Sequence, residues 1–111
     1  MDSTSARARF LKCVEDLGKK IFDAIRYFGE RRKIFMVHFR NIRGKRLNFE
    51  ETYIDAGDVD MWEAMKVYKE IGFNGPFMMD HTPGFPQEGT RWAGLAFAVG
   101  FIRATIQAVY R

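Results

Sequence analysis

The sequence predicts an α/β domain in which parallel strands alternate with helices. Two apolar runs, residues 33–40 and 77–79, are too short for helices and are bounded by loop residues, so they read as strands. Longer stretches around them repeat their apolar residues every 3.6 positions, the helical period. The first run is apolar on both faces, as a parallel strand covered on each side must be. The order is helix, strand, helix, strand, helix. Two parallel strands are not a stable sheet, so this arrangement wants more strands than 111 residues supply.

Taken in order, residues 1–9 are small, polar and basic and should be frayed. A helix should run from Phe10 to Phe28, weakened in the middle by Gly18. Ile21, Ala24, Ile25 and Phe28 share one face while Lys19, Lys20, Asp23 and Arg26 lie elsewhere, and Gly29 should end it. After the first strand comes a long charged connection, residues 41–57, in which residues 47–53 alternate like a short extended segment. Connections of that length are often functional. The next helix announces itself with Asp58 or Asp60 as cap, Glu63 completing a capping box with Asp60. Met61, Ala64, Met65, Tyr68 and Ile71 form its stripe and Gly72 ends it. Asn74-Gly75-Pro76 leads into the second strand. A last helix from near Thr90 to Tyr110 is apolar nearly all round, so it should be buried against helices or a sheet.

Composition bounds the function. Apolar residues make up 47% of the chain and the net charge is +4, which suits one small globular domain with a real core. The basic excess is compatible with nucleic acid but equally suits an anionic small substrate. No phosphate-binding glycine loop, CxxC pair, serine elbow or regular basic–aromatic pattern is present. A nucleic-acid module therefore ranks last. The single Cys13 excludes an internal disulfide framework and, in a helical basic segment, reads as an inert thiol of a reducing compartment. Residues 1–9 lack the apolar core of a secretory signal, and the longest uncharged run, 92–102, is too short to span a bilayer. A cytoplasmic protein without membrane or nucleic-acid partners is expected.

The second strand ends in Asp80-His81, and Pro83-Gly84 then break the chain. Loops at the carboxyl ends of parallel strands build active sites. The only other histidine, His38, closes the first strand, so His38, Asp80 and His81 could converge on one rim. Imidazole plus carboxylate suits a divalent ion of the manganese, iron or zinc kind, and an imidazole titrating near neutrality can move a proton. The plainer alternatives are a loop-capping Asp80 beside an ordinary half-buried His81, and a buried His38 bonded to a backbone carbonyl. Arg40 and Arg43, just past the first strand, could fork onto a substrate carboxylate, against the plainer reading of a solvated basic loop. Arg91, in the first turn of the last helix, is a third anion-binding candidate.

Several segments resemble one family. Ala24-Ile25-Arg26-Tyr27-Phe28-Gly29, Lys33-Ile34-Phe35-Met36-Val37-His38-Phe39-Arg40-Asn41, Gly57-Asp58-Val59-Asp60-Met61, Gly72-Phe73-Asn74-Gly75-Pro76, Asp80-His81 and Gly94-Leu95-Ala96 occur in the order found in mannonate dehydratases. The resemblance covers the chain from about Leu17. It implies the C-terminal part of a (β/α)8 TIM barrel of the xylose-isomerase-like kind, with residues 10–111 supplying its last strand–helix units. The implied activity is metal-dependent dehydration of D-mannonate to 2-keto-3-deoxygluconate in glucuronate breakdown. Manganese (Mn2+) is the implied metal, with iron (Fe2+) as the alternative. On the family pattern His38 and Asp80 are metal ligands and His81 is the acid/base residue, with Arg40, Arg43 and Arg91 left for the sugar-acid substrate. The sequence departs from the pattern in places. Phe10 stands where the family's cysteine ligand would fall, Met78-Met79 replaces the arginine-proline before Asp-His, and Pro86-Gln87-Glu88-Gly89 lacks the family's tyrosine. The partners implied are a second copy of the chain or the N-terminal share of the barrel. A non-catalytic remnant that acts only through such pairing is the second reading.

Overall fold

The computed structural model describes residues 19–84 and 91–111. The expectations for residues 1–9, for the helix between Phe10 and Gly18, and for Cys13 and Pro86-Gln87-Glu88-Gly89 lie outside them. Within them run α1 (Lys19–Glu30), β1 (Val37–His38), β2 (Ile42–Lys45), β3 (Asn48–Glu51), α2 (Met61–Glu70), β4 (Phe77–Met78) and α3 (Arg91–Tyr110).

β1 and β4 pair in parallel, Val37 opposite Phe77 and His38 opposite Met78. The ladder is continued by Val37 N–H donating to the Pro76 carbonyl at 3.0 Å and Phe39 N–H to that of Met78 at 2.7 Å. Side chains alternate along a strand. Val37, Phe39, Phe77 and Met79 therefore turn to one face and His38, Arg40, Met78 and Asp80 to the other. The first face packs on α2, where Phe39, Tyr68, Phe73 and Phe77 interlock mostly edge to face, with ring centroids 5.3–6.3 Å apart. Met65 of α2 and Ile102 and Val109 of α3 are buried with them. The second face is open. Met36 is 51% exposed and His38 is exposed too, so the run is covered on one side, not on both as its composition suggests.

Both helices that meet behind this pair end in the same way. At α2, Gly72 takes a φ of 75°, its N–H bonds to the Lys69 carbonyl, and Phe73 N–H bonds to that of Tyr68. This is a Schellman cap with its usual apolar contact, here between Phe73 and Tyr68. α1 does not stop at Gly29. It continues to Glu30, and Arg32 at φ 54° occupies the left-handed position, with Lys33 N–H reaching the Phe28 carbonyl. Gly29 has another task. A Cβ there would stand 2.0 Å from Ile71 Cδ1, so the glycine lets α1 press against the end of α2. At the start of α2, Asp60 caps Glu63 N–H at 3.0 Å as expected. The Glu63 carboxylate does not close the box and instead accepts from Lys66 Nζ at 2.6 Å.

The 41–57 connection is largely a β-hairpin. β2 and β3 pair antiparallel from Ile42 opposite Glu51 to Lys45 opposite Asn48. Asn41, 2% exposed, is the hub that holds it to the domain. Its amide Nδ2 donates to the carbonyls of Ile54 and Val59, both at 2.9 Å, and its Oδ1 accepts from Ile42 N–H at 3.0 Å and Val59 N–H at 3.1 Å. Gly57 passes so close that a Cβ would overlap the Asn41 amide.

α3 buries one stripe, Gly94, Ala98, Ile102, Thr105 and Val109. Trp92, Phe97 and Val99 are exposed, so the helix is not buried all round. Over Trp92–Tyr110 it is also long and apolar enough to cross a membrane by length and composition, more than the uncharged run 92–102 suggests. Arg103 alone interrupts it, and stays at the surface.

Candidate functional site

The open face of the strand pair collects the polar residues at its carboxyl end. His38 and Arg40 arrive there by parity along the first strand, and Asp80 by parity along the second. Asp80 sits at φ 58°, a left-handed conformation that costs a non-glycine residue about 1 kcal/mol and that aspartate tolerates better than most. Its carboxylate lies back over the β1 end. Asp80 Oδ2 is 3.5 Å from His38 Nδ1 and 3.6 Å from Arg40 Nε, and Oδ1 is 3.5 Å from His81 Nε2.

Glu51, the last residue of β3, completes the cluster. Its Oε1 accepts from Arg40 Nη1 at 2.6 Å and lies 2.5 Å from His81 Nδ1. The 41–57 stretch thus contributes to this cluster a carboxylate that sequence reasoning passes over. An alternating register from Asn48 would have marked Glu51 only if the hairpin had been recognised.

The expected residues divide. His38, Arg40, Asp80 and His81 come together. Arg43 does not: it pairs in register with Glu50 on the hairpin, and its Nη2 donates to the Ala56 carbonyl at 3.0 Å. Arg91 is the first residue of α3, and its side chain lies outside the described residues.

The donor types at the strand ends suit part of a divalent-metal sphere. Two adjacent donors about 2.1 Å from an octahedral ion stand roughly 3.0 Å apart. His38 Nδ1 and Asp80 Oδ2, at 3.5 Å, are within a small rotation of that spacing. Among the described residues, no group of three His, Cys, Asp or Glu side chains gathers to hold an ion. Both remain accessible, His38 half exposed and Asp80 a quarter.

The family model for D-mannonate dehydratase (UxuA) matches residues 10–109. Among curated proteins, mannonate dehydratase 2 of Halalkalibacterium halodurans is 40% identical over 62 residues, 53% of this chain and 18% of that protein. The mannonate dehydratases of Thermotoga petrophila and Thermotoga maritima are each 33% identical over 76 residues, 62% of this chain and 21% of theirs. The chain spans about a fifth of the length of the curated relatives it matches. With nearly all of its residues inside the family's pattern, the chain belongs to the D-mannonate dehydratase family.

Proposed function

We propose that this chain supplies the C-terminal share of a mannonate dehydratase active site, built on the last strand–helix units of a (β/α)8 barrel. The observation that carries the reading is the convergence of His38, Arg40, Asp80 and His81 on one open face at the carboxyl ends of two parallel strands. Active sites of parallel barrels lie at that end. D-mannonate, dehydrated to 2-keto-3-deoxygluconate, is the substrate that the relatives' names suggest.

In this reading His38 and Asp80 are two of the ligands of a manganese or ferrous ion, and the remaining ligands come from beyond the described residues. When bound, such an ion polarises the substrate's carboxylate and α-hydroxyl and so acidifies the α-hydrogen. Arg40 holds the Asp80 and Glu51 carboxylates through Nε and Nη1, leaving Nη2 for a substrate carboxylate. His81 is the proton carrier. Loss of water across the two carbons needs a base for the α-hydrogen and an acid for the departing β-hydroxyl, and an imidazole beside the ligand pair can do either. The open edge of β1 and the exposed Phe35 and Met36 fit a chain that works against a neighbour, whether a second copy or the rest of a barrel.

The test is dehydration of D-mannonate by the purified chain with manganese, followed by formation of the 2-keto acid. His38→Ala and Asp80→Ala should each abolish manganese binding. His81→Asn should leave binding intact and remove turnover. Turnover that persists in His81→Asn denies that residue the proton-carrying role. Manganese affinity unchanged in both alanine variants removes the site.

The second reading is a non-catalytic remnant that acts only by self-association. The same exposed apolar residues favour it, and folded, manganese-binding oligomers without dehydratase activity are its signature.

A further inference from the structure

We infer that Glu51 is the positioning residue of His81: its carboxylate accepts a hydrogen bond from Nδ1–H and so leaves Nε2 as the nitrogen that exchanges a proton with substrate. The inference rests on His81 being the proton carrier of the proposed function.

Three heavy atoms meet at one point, Glu51 Oε1, Arg40 Nη1 and His81 Nδ1, separated by 2.5, 2.6 and 2.8 Å. Arginine only donates and a carboxylate only accepts, so the state of Nδ1 is the open question. A bare Nδ1 would accept from Arg40, and a protonated Nδ1 would donate to Glu51.

The ring geometry decides. A donor in line with the Nδ1 lone pair would stand roughly 5 Å from Nε2, on the far side of the ring, at ordinary hydrogen-bond length. Arg40 Nη1 is 3.3 Å from Nε2 as well as 2.8 Å from Nδ1. It therefore lies across the ring rather than along that lone pair, and its hydrogen bond goes to Glu51. A bare nitrogen 2.5 Å from a carboxylate oxygen would set two lone pairs against each other. Nδ1 keeps its proton and donates a hydrogen bond to Glu51, Arg40 fixes that carboxylate from the other side, and Nε2 has only the longer 3.5 Å approach of Asp80 Oδ1, beyond ordinary hydrogen-bond length.

The arrangement gives the hairpin a purpose. Glu51 is the final residue of β3, and the hairpin is anchored by the four hydrogen bonds of Asn41. Its neighbour Glu50 is paired in register with Arg43 and makes none of the described contacts with His81. Holding one imidazole nitrogen with a carboxylate is how a protein fixes the tautomer and aims the other nitrogen.

The experiment is imidazole nitrogen NMR on the chain labelled at histidine, at one fixed pH above the histidine range, without metal or substrate. In the parent chain the His81 Nδ1 signal should fall in the protonated, pyrrole-like range and Nε2 in the pyridine-like range. Glu51→Ala should exchange the two assignments toward the Nε2–H form that free imidazole side chains prefer. Glu51→Gln, whose carbonyl still accepts, should keep the parent pattern, and Glu50→Ala should change nothing. His38 signals are the internal control, and circular dichroism establishes that each variant is folded. Should Glu51→Ala prove unfolded, the parent and Glu51→Gln spectra still decide, because both must show Nδ1–H. A parent chain already in the Nε2–H form, or a folded Glu51→Ala with unchanged signals, overturns the inference. Failure of the dehydratase reading is seen elsewhere, in manganese binding and D-mannonate turnover, so the two are separable.

Discussion

Asn41 shows how much one amide can hold. All four of its hydrogen-bonding positions are used, and the amide itself is buried. Asn41→Ala would strand two backbone N–H groups and two carbonyls, so it should cost about 2–4 kcal/mol in a chemical-denaturation experiment. An exposed polar residue of the hairpin, such as Asn48, should cost under about 0.5 kcal/mol when changed to alanine. Tyr68 gives a second test. Burial raises its hydroxyl pKa from 10.0 to about 12, and the same cause raises that of Tyr110, whose Oη donates to the Phe73 carbonyl at 2.8 Å. The folded chain then binds more protons than the unfolded one between those values. Stability is fully present below pH 10 and is lost as pH rises toward about 12. Alkaline melts should show that fall, and Tyr68→Phe should lessen it. At this scale the site was half legible. His38 and His81 are the chain's two histidines, each at a strand end, and Asp80 stands beside one of them, which sequence exposes. Glu51 is one carboxylate among many, and only the pairing of β2 with β3 singles it out.

Among the elements, Arg32 takes the helix-ending role that sequence suggests for Gly29. Glycine at a helix end usually takes the left-handed position, yet here Arg32 takes it and Gly29 supplies closeness to Ile71. Arg32→Gly should therefore stabilise the chain by about 1 kcal/mol, by removing the left-handed penalty of an L side chain. Gly29→Ala should destabilise it by about 1–3 kcal/mol, because the new methyl meets the Ile71 side chain at both Cδ1 and Cβ. Paired thermal melts would show opposite shifts. If both variants move the same way, the assignment of roles is wrong. The hairpin was the main element that sequence reading missed, for a physical reason. Its two-residue turn is Arg46-Leu47, with Leu47 at φ 66° where glycine or asparagine is usual. Its second strand lies within the extended segment that the alternation of residues 47–53 suggests, but it is exposed throughout, so no buried face betrays its pairing with residues 42–45. The helices and the parallel strands, whose apolar residues meet a core, were legible because burial imposes a period.

For the molecule as a whole, the distribution of exposed apolar residues is the dominant fact. Phe35 and Met36 lie beside the open edge of β1, and Trp92, Phe97 and Val99 face out from α3. A covered face is expected of strands in parallel sheets, and an uncovered one invites association. Sedimentation should find species above the 13.0 kDa of one chain, growing with concentration. Phe35→Ser with Met36→Ser should reduce them, and a monomer at every concentration would set this expectation aside. Association and catalysis are separate properties, and the proposed roles of His38, Asp80 and His81 bear on the second. The most direct measurement follows histidine and aspartate NMR signals of the chain while manganese is added well below one equivalent, since the ion broadens only nuclei close to it. The account predicts that His38 and Asp80 broaden first, that His81 follows, and that His38→Ala or Asp80→Ala removes the selectivity. Broadening that falls instead on Asp55, Asp58 and Glu63, with His38 sharp, would contradict it.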